Sequence, residues 1–264
     1  MSRPTLFRLA ATSAWLGLLA LSSGCAGGSG RGTNYGDNAR LAYQDALVQF
    51  YDDDCFEAEP LLRNVRSEFP YSRFAALADL KIADCNFKDG KYVEAIEAYN
   101  QFVRYRPSHL EVPYARFMVA RANYEQIPSE WLLSPPAYER DQHYVQETLR
   151  LLRRFMLDFS DDALVPVAQR MAAEAVKLLA AHELYVANFY LDRDHPRAAA
   201  GRLNTLLRSY PGSGFEPEAL FRLGESYVQM EDWKGAQRAF SELVTKFPSN
   251  DLADDARDRI AQIR

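Results

Sequence analysis

One spacing constrains this 264-residue chain more than any other: a small residue followed twelve positions later by a turn-forming residue, repeated in one phase. Ala58 with Pro70, Ala95 with Pro107, Ala199 with Pro211 and Ala236 with Pro248 keep it, and Thr148 with Ser160 is a degenerate fifth case. Four residues after each anchor stands a large side chain, Leu62, Tyr99, Leu152, Leu203 or Phe240. An offset of four returns to the same face of a helix, and a proline cannot continue one. The anchors step by 37, 53, 51 and 37 residues, so the third and fourth units carry about 16 and 14 extra residues. Units of this length bury only one face each and must stack to cover the other.

The last complete unit, Leu223 to Pro248, is the most regular. Leu223-Gly224, Tyr227, Ala236, Phe240 and Pro248 match the tetratricopeptide pattern of small and aromatic residues closed by proline. The expected fold is all-α, an α-solenoid of about five tetratricopeptide-like helix pairs. Residues 38–160 form an N-terminal half of three repeats, with an insertion at 127–143, and residues 161–264 a C-terminal half of two.

Helical periodicity places the first helix from near Asn38, carrying Ala39, Ala42, Tyr43, Ala46, Leu47 and Phe50, and its partner at about 56–69. Asp89-Gly90 is a turn with Gly90 as a C-cap. The linkers Phe69-Pro70-Tyr71-Ser72, Arg106-Pro107-Ser108-His109, Tyr210-Pro211-Gly212-Ser213 and Phe247-Pro248-Ser249-Asn250 pair a helix-stopping proline with residues suited to cap the next helix. In repeat three, Pro128, Pro135 and Pro136 exclude a continuous helix after about residue 126. The loop holding Trp131-Leu132-Leu133 is a binding element or, in preference, a plug folded back on the groove, since Trp131 is costly to leave in water. Repeat four opens with a long helix, about 163–191, with Pro166 in its first turn. It is long enough to brace or hinge the two halves.

Residues 1–24 read as a lipoprotein signal peptide: Arg3 and Arg8, an apolar run from Leu9 to Leu21, then Ser22-Ser23-Gly24-Cys25. The small-small-Cys ending resembles a lipobox, making Cys25 the lipidated (palmitate-bearing) first residue of the mature chain. The alternative is an ordinary signal peptide with a free Cys25. Residues 25–37, rich in glycine, form a flexible tether. Ala26 rather than Asp after the cysteine resembles lipoproteins sorted to the outer membrane. Export puts the remaining pair, Cys55 and Cys85, in an oxidising compartment. They open one helix and close a neighbouring antiparallel one, so they form either a disulfide or two small buried thiols.

The charge balance argues against a nucleic-acid surface. Removing the first 24 residues takes away two arginines and no acid, leaving 29 basic and 36 acidic residues, net −7, with no basic run. His109, His143, His182 and His195 lack metal-ligand spacing, and no Gly-x-Ser-x-Gly, phosphate-binding glycine loop or paired-carboxylate motif is present. Asp52-Asp53-Asp54 reads as a solvated turn. The expectation is a non-catalytic protein without cofactor or metal.

Binding is the remaining function. Positions 2, 5, 9, 12 and 13 of each first helix are expected to face the concave groove. In the first three repeats these include Tyr43, Phe50, Tyr51, Phe87, Tyr114, Phe117, Arg121 and Tyr124, and seven of the fifteen positions are aromatic, against one of ten in repeats four and five. An aromatic, mixed-polarity trough suits an extended apolar peptide, while the C-terminal half offers an ordinary docking face.

The lipobox-like start, five degenerate repeats, the long helix ending Tyr185-Val186-Ala187-Asn188-Phe189-Tyr190-Leu191, the stretch Arg202 to Pro211 and the insertion bearing Arg140-Asp141 together resemble the BamD family, the TPR lipoproteins of the outer-membrane β-barrel assembly machinery. The resemblance implies a scaffold lipid-anchored at the periplasmic face of the outer membrane. Its N-terminal repeats would receive unfolded outer-membrane proteins, and its C-terminal repeats would dock the barrel-forming assembly subunit, with accessory lipoproteins as further partners. Arg202 matches by position a docking arginine of the family. The fifth repeat is also similar to periplasmic TPR adaptors, which makes an adaptor for Tol-Pal or peptidoglycan machinery the alternative. A lytic transglycosylase would need a catalytic domain for which the chain has no room.

Overall fold

The computed structural model describes residues 34–128 and 135–263, and among them the secondary structure is helical. The helices are α1 (Tyr35–Tyr51), α2 (Cys55–Glu68), α3 (Arg73–Lys88), α4 (Tyr92–Tyr105), α5 (Val112–Tyr124), α6 (His143–Asp158), α7 (Val165–Leu191), α8 (Pro196–Ser209), α9 (Glu216–Gln229), α10 (Trp233–Lys246) and α11 (Leu252–Ile263). Each packs on the next, giving five antiparallel pairs and a last helix. α11 buries Ala253 and Ala256 and turns Asp254, Asp255 and Arg257 outward, the polar outer face a solenoid end requires.

The anchor spacing is the skeleton of the core. Ala58, Ala95, Thr148, Ala199 and Ala236 are fully buried, as are Leu62, Tyr99, Leu152, Leu203 and Phe240 one turn on. The small residue lets paired helices approach, and the large one fills the space between repeats. The closing prolines follow helix ends at Glu68, Tyr105, Ser209 and Lys246.

Two boundaries differ from expectation for local reasons. α1 begins at Tyr35 rather than near Asn38, because the Asn34 side chain accepts the Asp37 amide at 2.9 Å and caps the helix. Residues 35–37 are therefore helix, not tether. α7 begins at Val165, with Pro166 tolerated in the first turn. Gly90 ends the α3–α4 turn at φ 72°, and Asp53, Asp194 and Glu231 adopt similar angles in the other turns between paired helices.

α7 belongs to two cores. Ala168, Ala172, Ala175 and Leu179 sit in the cluster formed with α3 to α6, and Ala180, Leu184 and Ala187 in the cluster formed with α8 to α10. The brace between halves is thus one continuous helix. The described part of the insertion folds onto it: residues Ala137–Glu139 form a single 3₁₀ turn, the Tyr138 ring stacks on Tyr185 at 5.8 Å, and the Tyr138 carbonyl lies 2.6 Å from His182 Nδ1. Gln142 is buried and donates to the carbonyls of Ala137 and Arg140. Asp141 accepts the His143 amide at the start of α6. Trp131 lies outside the described residues.

Cys55 at the start of α2 and Cys85 near the end of α3 are joined by a disulfide, with Cα atoms 5.4 Å apart. It ties the second helix of repeat one to the first helix of repeat two.

Candidate functional site in the N-terminal groove

The first helices α1, α3 and α5 line the concave side of the N-terminal half. At their centre Asp84 of α3 is 5% exposed. One carboxylate oxygen, Oδ1, accepts hydrogen bonds from the hydroxyls of Tyr99 on α4 at 2.6 Å and Tyr114 on α5 at 2.8 Å. The other, Oδ2, pairs with Lys81 Nζ at 2.6 Å, one turn back on α3. A buried carboxylate is tolerated only when compensated in this way. The arrangement locks three consecutive helices around one charge.

The Lys81 ammonium also lies 4.6 Å from the centre of the Phe50 ring. Lys88 reaches the same ring at 4.3 Å while pairing with Asp53 at 2.6 Å. Phe50 is therefore held between two cations, a favourable use of the ring's negative faces. Tyr43, Leu77, Leu80, Lys81, Asp84, Glu111 and Tyr114 enclose an open cleft of about 270 Å³. Apolar walls with one cation and one acid at the rim can hold an extended peptide and fix its direction.

Burial raises the phenol pKa of Tyr43, Tyr99 and Tyr114, and the Asp84 charge adds to it in each case. These hydroxyls stay protonated, so those of Tyr99 and Tyr114 remain donors to Asp84. Tyr124 bonds the Glu174 carboxylate on α7, and that bond, with some burial, pushes its phenol up to about 12.

Only part of the expected aromatic trough is open to a ligand. Tyr43 and Tyr114 line the cleft, whereas Tyr51 is 71% exposed at the end of α1, edge-on to Phe50. Phe87 is half-buried, with Tyr92 against its edge and the Arg121 guanidinium 5.1 Å above it; Arg121 itself is exposed. Phe117 is core: it is buried against Phe155 of α6 at 5.7 Å between ring centres. Phe50 is buried too, and only an edge of Tyr43 reaches the surface. The fifth position of the first helix is buried in the first four repeats, at Tyr43, Leu80, Phe117 and Leu184; Tyr43 and Leu80 form the floor of the cleft, whereas Phe117 packs into the core. Lys81 and Glu111 were absent from the expected set. The i, i+3 pair Lys81–Asp84 was a local signal for the first, whereas Glu111 precedes α5 and is placed by tertiary structure.

In the C-terminal half, Arg202 on α8 reaches Glu183 of α7 at 3.3 Å, with the arginine largely exposed and the glutamate nearly buried. It presents a charged head oriented by an internal partner. Cys25 lies outside the described residues. No cluster of metal-ligating side chains occurs among the described residues, and none of their helices is long and apolar enough to cross a membrane.

Residues 36–239 match the family described as YfiO, outer membrane lipoprotein. The chain belongs to that family. It is 25% identical to the outer membrane protein assembly factor BamD of Xylella fastidiosa (strain 9a5c) over 95% of this chain and 87% of that one. It is 26% identical to BamD of Caulobacter vibrioides over 94% and 80%, and 25% identical to BamD of Neisseria meningitidis serogroup B over 79% of both chains. Among solved structures it resembles the TPR2AB domain of yeast Sti1 in complex with an Hsp90 peptide, at 12% identity over 86% of this chain and 83% of that one, with a TM-score of 0.43. The family's named relatives are outer membrane protein assembly factors, and the chain is a helical-repeat member of that outer-membrane lipoprotein family.

Proposed function

We propose that the chain is a lipid-anchored scaffold at the periplasmic face of the outer membrane that receives unfolded outer-membrane proteins in its N-terminal groove. The C-terminal repeats, with Arg202 among their exposed charges, dock the barrel-forming subunit of the assembly machinery, and accessory lipoproteins complete the complex. Cys25 carries the anchor. The observation that supports this division is the cleft over Asp84, where half-buried Leu77 and Tyr114 lie beside Lys81 and Glu111. An extended, aromatic-rich segment finds there both apolar contact and groups that select its direction. Family relatives named as outer membrane protein assembly factors supply the class of cargo.

The test separates the two halves. Leu77→Arg fills the cleft with a charge and is expected to weaken binding of C-terminal peptides of barrel proteins at least about tenfold, the scale of one lost apolar anchor. Arg202→Glu is expected to reduce co-purification of the barrel-forming subunit while leaving peptide binding intact. Unchanged peptide affinity in the first variant and unchanged capture in the second would reject the proposal.

A further inference from the structure

Antiparallel pairing gives the solenoid two edges, one holding the turns within pairs and the other the turns between pairs. The between-pair edge of the N-terminal half carries the start of α1, the α2–α3 turn and the α4–α5 turn. Large apolar side chains stand out there: Tyr71 is 95% exposed and Leu110 93%, with Tyr35 and Tyr105 also exposed. Tyr35 is part of this surface by contact, not only by position. Its ring meets Phe69 at 5.3 Å and its hydroxyl accepts the Tyr71 amide at 3.3 Å. Arg40 and Arg73 border the shallow cleft between Tyr35 and Tyr71, both with exposed guanidinium groups.

The opposite edge is also studded with apolar groups, Tyr51, Phe56 and Val93, but there they stand among Asp52, Asp53, Glu57 and Asp89. The balance of charge therefore distinguishes the edges: Arg40, with Asp37 beside it, and Arg73 border the tyrosines on one, whereas Asp52, Asp53, Asp54, Glu57 and Asp89 outnumber Lys88 and Lys91 on the other. Tyrosine rings and arginine heads suit the headgroup layer of a bilayer, and carboxylates are repelled by anionic lipid.

We propose that the edge formed by Tyr35, Arg40, Tyr71, Arg73 and Leu110 rests on an anionic phospholipid surface and sets the orientation of the solenoid. This rests on the lipid anchor at Cys25 in the functional reading above. Asn34, the cap of α1, follows Cys25 by nine residues. A nine-residue segment spans at most about 30 Å and typically about 15–18 Å if flexible. The typical reach is shorter than α1, whose 17 residues span about 25 Å, so the anchor holds this edge nearest the bilayer at high effective concentration and weak individual contacts suffice. With that edge down and the acidic edge facing away, the Asp84 cleft opens parallel to the membrane surface. A bound segment would then lie alongside the bilayer it is to enter.

The test uses the lipidated full-length mature chain in nanodiscs containing phosphatidylglycerol with brominated acyl chains, whose bromines quench tryptophan emission at close range. In a chain with Trp131→Phe and Trp233→Phe, which removes the other tryptophans of the mature chain, Tyr71→Trp is expected to lose emission by about twofold or more relative to unbrominated discs, the outcome for an interfacial ring. Phe56→Trp in the same background, on the acidic edge, is expected to emit equally in brominated and unbrominated discs. Adding Arg40→Glu and Arg73→Glu to Tyr71→Trp is expected to abolish most of the quenching. Equal quenching at the two edges, or none for Tyr71→Trp in a chain retained by the discs, would overturn the assignment of the edge. Loss of the chain from the discs would overturn the anchor, and the proposal with it.

Discussion

The ring of Phe240 occupies the space that a side chain at residue 224 would need. A Cβ added to Gly224 of α9 would lie 2.7 Å from Phe240 Cδ1 and nearer still to Cε1 and Cζ. Phe240 is fully buried and has no room to yield. Repeats one and four carry Ala46 and Ala187 at the equivalent place, in the same clusters as the smaller Leu62 and Leu203. Repeat two carries Ala83 there beside Tyr99 in one cluster, so the glycine answers to where the Phe240 ring lies in this pair and not to the size of the residue alone. Gly224→Ala is expected to destabilise the chain by about 2 kcal/mol, overpacking exceeding the gain in helix propensity. Combining it with Phe240→Leu should recover part of that loss. Urea midpoints of the two single variants and the double variant give the coupling directly; additive effects would count against the contact.

Thr148 is the one anchor that is not alanine, and its hydroxyl is buried without a hydrogen-bond partner. An unpaired buried hydroxyl carries a desolvation cost and returns nothing. Thr148→Val keeps the shape and removes the polar atom, so it is expected to raise stability by about 1 kcal/mol. A lower urea midpoint for this variant would show that the hydroxyl is paired in solution.

The Cys55–Cys85 disulfide closes a loop with a sequence separation of 30 across the first two repeats. Loop-closure entropy of that length corresponds to about 3–4 kcal/mol. Cys55→Ser with Cys85→Ser is expected to lower stability by up to that amount, with amides of α1 and α2 losing hydrogen-exchange protection first. Thiol titration of the unfolded, unreduced mature chain should find neither cysteine free.

The repeat phase was legible because anchor and closing turn are local features of one helix: a small residue, a large one four later and a proline at twelve dictate burial whatever surrounds them. Ala95, Tyr99 and Pro107 show this in full, since the first two are buried and the third follows the helix end. The groove was less legible. Whether Phe117 faces ligand or core depends on where α6 delivers Phe155, and that follows from an insertion whose path periodicity does not specify. Asp84 likewise gains its meaning from Tyr99 and Tyr114, 15 and 30 residues away on two other helices. The start of α1 was missed for a smaller reason: Asn34 caps the helix ahead of the apolar pattern, so Gly36 and Asp37 concealed its first turn.

Three tyrosines around Asp84 make the N-terminal half sensitive to alkali. Tyr43, Tyr99 and Tyr114 have phenol pKa values raised by burial and by the Asp84 charge, so the folded chain holds these protons more tightly than the unfolded chain does. The sign follows from linkage. The associated stability is fully present below the unfolded phenol value of about 10. It declines as pH rises above that, by up to about 1.4 kcal/mol per pH unit for each tyrosine. Stability is therefore expected to be level with respect to these groups up to about pH 10 and to fall steeply beyond it. Absorbance at 295 nm should show the three phenols silent until the chain unfolds. Tyr43→Phe removes one of them without touching the hydroxyl pair on Asp84, and should flatten the decline by one tyrosine's share. An unchanged slope in that variant, or free titration of all phenols near pH 10 in the folded chain, would contradict the burial of this cluster.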